Sequence, residues 1–193
     1  MARPVARVQD RAMGFDLDSF IAECLAAAPD QAAVAEVVTR AVSEPSTLEE
    51  TFTRKLSLSN LGILHYSAQL TVQHVVFPPA YRTGIHDHLT WAVIGTWTGY
   101  EDNHLFGREG NRAVQTSVER CGPGQVISLN ADAIHEVRAP LSTASAAIHV
   151  YGGALFDQPR HSWSPDEAPV DDAADLDRML AELRASGYLA KAN

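Results

Sequence analysis

The spacing of apolar residues predicts helices in the first quarter of the chain. Apolar side chains recur there every three or four positions, with acidic residues and serine at the expected starts. Pro29 separates the first helix from the second, and Pro45 ends the second. The predicted helices cover residues 20–28, 31–43 and 47–52. We therefore expect a helical N-terminal part over about residues 14–58.

A different pattern follows Gly62, where short runs of alternating or continuous apolar residues are separated by Gly, Pro and Asn. Eight strands are predicted, at residues 63–66, 70–77, 91–98, 100–106, 113–120, 125–129, 135–139 and 146–151. That many short strands at this spacing predict a mainly β fold, either a sandwich or a barrel, over about residues 60–160.

The last part of the chain returns to helical spacing at residues 171–187. Its apolar stripe is formed by Leu176, Met179, Leu180 and Leu183, and we expect this stripe to pack on the β part. With 193 residues the chain is long enough for one well-buried domain. We therefore predict a single domain over residues 1–193.

Composition narrows the classes of function. A net charge of −9 with scattered basic residues argues against nucleic acid as a partner. No run of about 18 apolar residues occurs, and the charged N-terminus has no apolar signal core, so we expect neither a membrane span nor secretion. A cytoplasmic location is the resulting expectation. Cys24 and Cys121 show no metal-site spacing and are interpreted as structural.

Three histidines within the β part predict a metal centre. Residues i and i+2 of a strand point to one face, so His86 and His88 can reach the same ion while Asp87 points away. His135 follows a predicted turn at residues 130–132 and can supply the third ligand from a distant strand. Neutral imidazole binds iron, zinc, copper or nickel, and three such ligands leave positions open for chemistry.

The single histidines outside the predicted metal centre have a simpler interpretation. Most single histidines in strands are surface or core residues satisfied by hydrogen bonds, and we assign that role to His65, His74, His104 and His161. Residues 101–104 (Glu-Asp-Asn-His) suggest a second site, but a structural or pocket-rim role is favoured. Glu101 and Asn103 share one face of that predicted strand.

Motifs in this order resemble those of the cupins of thiol dioxygenase type, the relatives of cysteine dioxygenase and 3-mercaptopropionate dioxygenase. The resemblance covers about residues 60–160. Its specific parts are residues 84–88 (Gly-Ile-His-Asp-His), 91–95 (Trp-Ala-Val-Ile-Gly), 99–103 (Gly-Tyr-Glu-Asp-Asn), 134–137 (Ile-His-Glu-Val) and 148–153 (Ile-His-Val-Tyr-Gly-Gly).

This resemblance implies a cupin jelly-roll barrel that holds ferrous iron, Fe(II), on His86, His88 and His135. It further implies His149 and Tyr151 as catalytic groups beside the open positions. Tyr151 would donate a hydrogen bond to bound oxygen or sulfur. The implied reaction adds both atoms of dioxygen to the sulfur of a small organic thiol and gives a sulfinic acid. The oligomeric state stays open, with a homo-oligomer as one possibility.

The chain departs from the family pattern at several positions. Ala92 and Val93 stand where many cupins have a glutamate ligand, and alanine near position 92 also excludes the cysteine–tyrosine crosslink of cysteine dioxygenases. Ala147 replaces a serine that normally hydrogen-bonds the histidine equivalent to His149. Loss of that hydroxyl predicts a looser orientation of His149.

The expected carboxylate-binding arginine is missing from the hairpin at residues 64–69. Arg82 or Arg54 is the candidate replacement, and His65 or Gln69 would supply a weaker hydrogen bond to the substrate. Two alternatives to thiol oxidation therefore remain open. One is a three-histidine dioxygenase that cleaves a C–C bond of a diketone-like substrate, and the other is a metal-binding cupin without turnover.

Overall fold

The structure is a computed structural model that describes residues 14–55, 61–164 and 169–170. The predicted C-terminal helix at residues 171–187 and its apolar stripe lie outside the described residues, as do residues 1–13. Among the described residues, no helix combines the length and apolar character that a bilayer crossing requires.

Three helices form the N-terminal part, as the apolar spacing predicts. Helix α1 spans Leu17–Ala27, α2 spans Gln31–Val42 and α3 spans Pro45–Lys55. The Asp16 carboxylate caps α1 by accepting from two backbone N–H groups, and Asp30 caps α2 in the same way. Pro45 opens α3, where a missing N–H costs nothing.

The β part contains the eight predicted strands and three further short ones. The strands are β1 Leu61–Tyr66, β2 Leu70–Phe77, β3 Ile85–Asp87, β4 Ala92–Thr98, β5 Glu101–Glu109, β6 Arg112–Cys121, β7 Gln125–Leu129, β8 Ile134–Arg138, β9 Ser145–Gly152, β10 Ser162–Trp163 and β11 Pro169–Val170. A short 3₁₀ turn, Leu155–Asp157, follows β9.

The strands form two antiparallel sheets with the orders β1-β2-β9-β4-β7 and β11-β10-β3-β8-β5-β6. From β2 to β5 successive strands alternate between the two sheets, and from β7 to β9 the chain again crosses between them. This is the order of a jelly roll, in which two Greek keys face each other. The predicted mainly β jelly-roll class is confirmed.

The side chains of β9 pack in different apolar clusters on the two faces of the first sheet. Ala146, Ile148 and Val150 pack in the core cluster that includes the helices α1–α3. The alternate side chains point into the space between the sheets, where Ala147 and Tyr151 join a second apolar cluster. Every polar side chain that β9 carries on this inner face is therefore buried.

Gly95 allows helix α2 to lie directly on β4. A Cβ at this position would stand 2.5 Å from Val38 Cγ1 and 2.8 Å from Val42 Cγ1, both on α2. The contact depends on the missing side chain rather than on backbone freedom.

We expect Gly95→Ala to destabilise the protein by about 1–3 kcal/mol, because the helix must shift away from the sheet. Chemical denaturation with intrinsic fluorescence measures the change. The matched control is Gly107→Ala on β5, where the nearest atom to a new Cβ is the Thr116 methyl at 3.3 Å. Equal losses of stability in the two variants would contradict this account of the helix–sheet contact.

Candidate metal centre

Pairing between β3 and β8 brings two of the predicted ligands together. His86 lies directly opposite His135 in the antiparallel register. His88 follows immediately after β3, at a bend where Leu89 has a φ of 51°. The sequence placed both His86 and His88 on one continuous strand. The structure instead ends the strand at Asp87, and the bend directs His88 toward the other two rings.

The three histidines offer nitrogen atoms that all lie within 4.8 Å of one another. The Nε2 atoms of His86 and His88 are 3.1 Å apart. Two nitrogens bound to one ion at about 2.1 Å and at right angles would be separated by about 3 Å. The separation of the two rings therefore fits ligands that share one ion.

Hydrogen bonds to the far ring nitrogens set the tautomers of two histidines. Nδ1 of His135 lies 3.2 Å from Asn103 Oδ1, and Nδ1 of His86 lies 3.1 Å from the Gly84 carbonyl oxygen. Both acceptors require a protonated Nδ1, so Nε2 is the unprotonated nitrogen that can bind a metal. His135 Nε2 is buried and has no hydrogen-bond partner within the described ranges. A metal ion would satisfy it.

Burial keeps two of the imidazoles neutral. Removal from water, with smaller contributions from neighbouring histidines, holds the pKa of His88 and His135 well below the usual range. Neutral imidazole is the form that binds metal. The three residues therefore fit a divalent transition-metal ion in ligand type and spacing, and His88 and His135 fit it in protonation as well.

A cavity of about 170 Å³ opens from the three histidines. Its apolar wall comes from strand β2 and the loop after it, from β8 and from the segment after β9: Val75, Phe77, Tyr81, Val137, Leu155 and Phe156. Its other polar lining groups are Gln73, Thr83, His149, Tyr151 and Arg160. The cavity thus has an apolar wall on one side and polar groups around the candidate metal position.

Tyr151 and His149 lie at the cavity wall, as the family resemblance implies. The Tyr151 hydroxyl is 2.9 Å from His149 Nδ1, and the Tyr151 ring packs against His88 at 5.0 Å between centroids. Burial raises the pKa of the Tyr151 phenol, and the charge of Arg160 opposes part of that rise. Tyr151 is therefore a neutral phenol beside the three histidines.

Arg160 is a cavity residue that the sequence analysis missed. Its Nε atom is buried and has no hydrogen-bond partner in the described part of the chain. The segment that carries Arg160 is held against β3, because Asp87 accepts hydrogen bonds from the His161 backbone N–H and Nδ1, both at 2.7 Å. Asp87 thus points away from the histidine cluster, as predicted. Its hydrogen bonds to His161 hold the neighbouring Arg160 at the cavity.

The three predicted substrate-binding residues do not line this cavity. Arg82 pairs with the buried Glu136 carboxylate at 2.6 Å, on the opposite face of β8. His65 Nε2 lies 3.0 Å from the Ser67 hydroxyl, and Gln69 donates to the Leu25 carbonyl oxygen. The structure gives these residues local partners, and the arginine that lines the cavity is Arg160.

The isolated histidines have the hydrogen-bonded roles expected of them. His74 accepts from Trp97 Nε1 at 3.2 Å and stacks on Phe52 under the helices. His104 bonds to Gln115 at 2.9 Å.

Two further residues of the site come from β5. Asn103 orients His135, and Glu101 is fully buried with one carboxylate oxygen 4.0 Å from His149 Nε2. The alternation of residues 99–103 predicted their shared face, but nothing in the sequence showed that this face points at the histidines. Arg160 had no signal in the sequence, since no motif or periodic pattern surrounds it.

Comparisons with known proteins show similarity of fold only. No family model matches the chain, and no curated protein matches it. DMSP lyase DddQ from Ruegeria pomeroyi DSS-3 is 19% identical over 49% of this chain and 43% of its own, with a TM-score of 0.40. The chain thus spans less than half the length of that structure.

Two other solved structures have similar scores. An RmlC-like cupin from Methanocaldococcus jannaschii is 12% identical over 53% of this chain and 86% of its own, with a TM-score of 0.43. KdgF from Halomonas sp. is 17% identical over 48% of this chain and 76% of its own, with a TM-score of 0.41. The strand order and the histidine cluster define the class: a jelly roll with a three-histidine cluster that could hold a metal ion.

We expect Asn103→Ala to lower the affinity for a divalent metal by about 10–100-fold, because His135 loses the acceptor that fixes its tautomer. Titration with zinc or ferrous iron under anaerobic conditions measures the affinity. Asn130→Ala, in an exposed turn, serves as the matched control and should bind metal normally. Unchanged affinity in Asn103→Ala would show that His135 is not held in this way or is not a ligand.

Proposed function

We propose that this protein is an iron-dependent dioxygenase that oxidises a small anionic thiol to its sulfinic acid. One observation carries the proposal: the three clustered histidines, a neutral tyrosine and a partnerless arginine nitrogen all face one small cavity. These groups match the needs of the reaction, which are a metal site, a hydrogen-bond donor and an anion-binding group.

Three neutral ligands suit this chemistry. They leave the full positive charge on a divalent ion, and that charge favours the thiolate over the thiol. Ferrous iron, when bound, supplies the redox chemistry by which dioxygen takes four electrons from sulfur and both oxygen atoms enter the product. His86, His88 and His135 would hold the ion from one side. The cavity side then stays free for substrate.

Arg160 would bind the negative end of the substrate. Its buried Nε is without a partner, and a carboxylate can accept from Nε and a terminal nitrogen of a guanidinium together. The Asp87–His161 hydrogen bonds would keep this group at a fixed distance from the histidines. A thiol with a carboxylate a few bonds from sulfur therefore fits better than a neutral or cationic thiol.

Cavity size and lining limit the substrate further. About 170 Å³ is below the range of about 300–1,000 Å³ that is typical for drug-sized ligands. The walls of Val75, Phe77 and Val137 would exclude water from the reacting groups. The Tyr151 hydroxyl would donate a hydrogen bond to oxygen or sulfur in the cavity, with His149 fixing its direction. These features support a small thiol acid of a few carbon atoms.

A neutral diketone has no use for Arg160, so the arginine favours the thiol reaction over C–C cleavage. The decisive measurement is oxygen uptake after anaerobic loading with ferrous iron. We expect uptake with 3-mercaptopropionate, mercaptosuccinate or cysteine, matched one to one by sulfinate. Cysteamine, which lacks a carboxylate, should react at least tenfold less efficiently. Uptake with 1,3-dicarbonyls alone, or none with any thiol despite bound iron, would overturn the proposal.

We expect Arg160→Met to raise KM for the best carboxylated thiol by about 10–100-fold, since a charge-assisted hydrogen bond contributes about 1.5–3 kcal/mol. The activity toward cysteamine should change little. Arg40→Met is the matched control, because Arg40 pairs with Glu23 on the exposed helical surface. If both thiols lost activity equally in Arg160→Met, the arginine would be structural rather than an anion-binding residue.

A further inference from the structure

A line of polar side chains runs along the inner face of β9 away from the cavity. It begins with Tyr151 at the cavity wall, continues to His149 two residues earlier, and ends at Ser145. Glu101 of β5 lies between His149 and Ser145. All four residues are buried, and Glu101 and Ser145 have no exposed surface.

The contacts along this line are nearly continuous. The Tyr151 hydroxyl is 2.9 Å from His149 Nδ1, and the Ser145 hydroxyl donates to Glu101 Oε1 at 3.3 Å. Between them, His149 Nε2 and Glu101 Oε2 are 4.0 Å apart. Both of these atoms are buried and lack a hydrogen-bond partner among the described residues. A buried polar atom without a partner costs about 1–3 kcal/mol, so each atom is the natural partner of the other.

We propose that Glu101 is a positioning residue that sets the tautomer of His149 and thereby decides whether Tyr151 donates or accepts a hydrogen bond in the cavity. The effect on catalysis rests on the proposed function, but the link between Glu101 and the tautomer of His149 does not. Glu101 takes over the support of His149 that Ala147, with no hydroxyl, cannot give.

Two proton arrangements are possible. When Glu101 is ionised, it accepts from His149 Nε2–H, and Tyr151 donates its proton to Nδ1. When Glu101 is protonated, it donates to Nε2, His149 donates from Nδ1 to the Tyr151 oxygen, and the tyrosine O–H is free to donate into the cavity. The protonated form of Glu101 is therefore the one that prepares Tyr151 as a donor.

The change between the two forms balances by one proton. Tyr151 gives its proton to His149 Nδ1, Nε2 gives its proton to Glu101, and Tyr151 takes a replacement proton from the cavity. The net result is one proton moved from the cavity to Glu101. No electrons are transferred, and each residue except Glu101 keeps its original charge.

The surroundings make this change accessible near neutral pH. Burial raises the pKa of Glu101 to about 7, and the Ser145 hydroxyl opposes part of the rise. Burial lowers the pKa of His149 to about 3, so the ring stays neutral in both forms. Two further titratable groups interact with Glu101, namely Tyr151 of β9 and Cys121, its partner on β6. Burial raises the pKa of both, so neither is charged at pH 7.

The test reads the tautomer directly. Full-length protein labelled with ¹⁵N-histidine is loaded with zinc, which does not broaden the signals, and the His149 signal is assigned by its loss in His149→Gln. We expect Nδ1–H at low pH and Nε2–H at high pH, with a midpoint near 7. In Glu101→Gln the tautomer should not change over the same range, because the amide does not titrate.

Two further variants separate this role from a general effect on folding. Ser145→Ala should move the midpoint to higher pH, since the carboxylate loses a hydrogen bond that stabilises it. Glu119→Gln, on the exposed part of β6, should leave the midpoint unchanged. A tautomer in the parent protein that does not change with pH, or a change that persists in Glu101→Gln, would overturn the proposal.

The readout does not require turnover, so the two proposals can fail separately. If the His149 tautomer changes with pH but no thiol is oxidised, the dioxygenase assignment is rejected and the role of Glu101 is kept. If thiol oxidation is found, kcat should fall as pH rises through about 7 in the parent protein and not in Glu101→Gln, with little change in KM. A change confined to KM would assign Glu101 to substrate binding and overturn the positioning role.

Discussion

The candidate site depends on one pairing, the antiparallel contact between β3 and β8 that sets His86 opposite His135. Imidazoles buried between two sheets lose their hydration, and this loss must be offset by hydrogen bonds or by a ligand. Gly84 and Asn103 satisfy the far nitrogens of the two rings. The near nitrogens face the cavity, so the fold itself brings together a set of nitrogen atoms that could hold a metal ion.

The same pairing connects the site to the groups around it. β3 carries Asp87, whose hydrogen bonds to His161 hold the segment with Arg160 over the cavity. β8 lies next to β5, which delivers Asn103 to His135 and Glu101 to His149. The candidate metal ligands, the proposed anion-binding group and the proposed support of the tyrosine thus lie on β3, β5 and β8 or are held against them, which favours a preorganised site.

Much of the fold followed from the sequence, because buried strands and amphipathic helices repeat at fixed periods. The histidine cluster was also predictable, since His86 and His88 are close in sequence and His135 has a strand context. The proposed anion-binding group was not, because Arg160 is brought in by a tertiary contact without a local pattern. Arg82 was the better candidate by position, but the buried Glu136 carboxylate pairs with it on the other face of β8.

The central claim is that the three histidines hold a metal ion whose open side faces the thiol. X-ray absorption at the iron edge of the reconstituted protein, before and after anaerobic addition of 3-mercaptopropionate, tests it most directly. We expect imidazole scattering from three histidines, and part of this scattering should be lost in His86→Ala. After the thiol is added, the iron should gain a sulfur neighbour. Iron without histidine scattering, or a spectrum that carboxylated thiols leave unchanged, would contradict it.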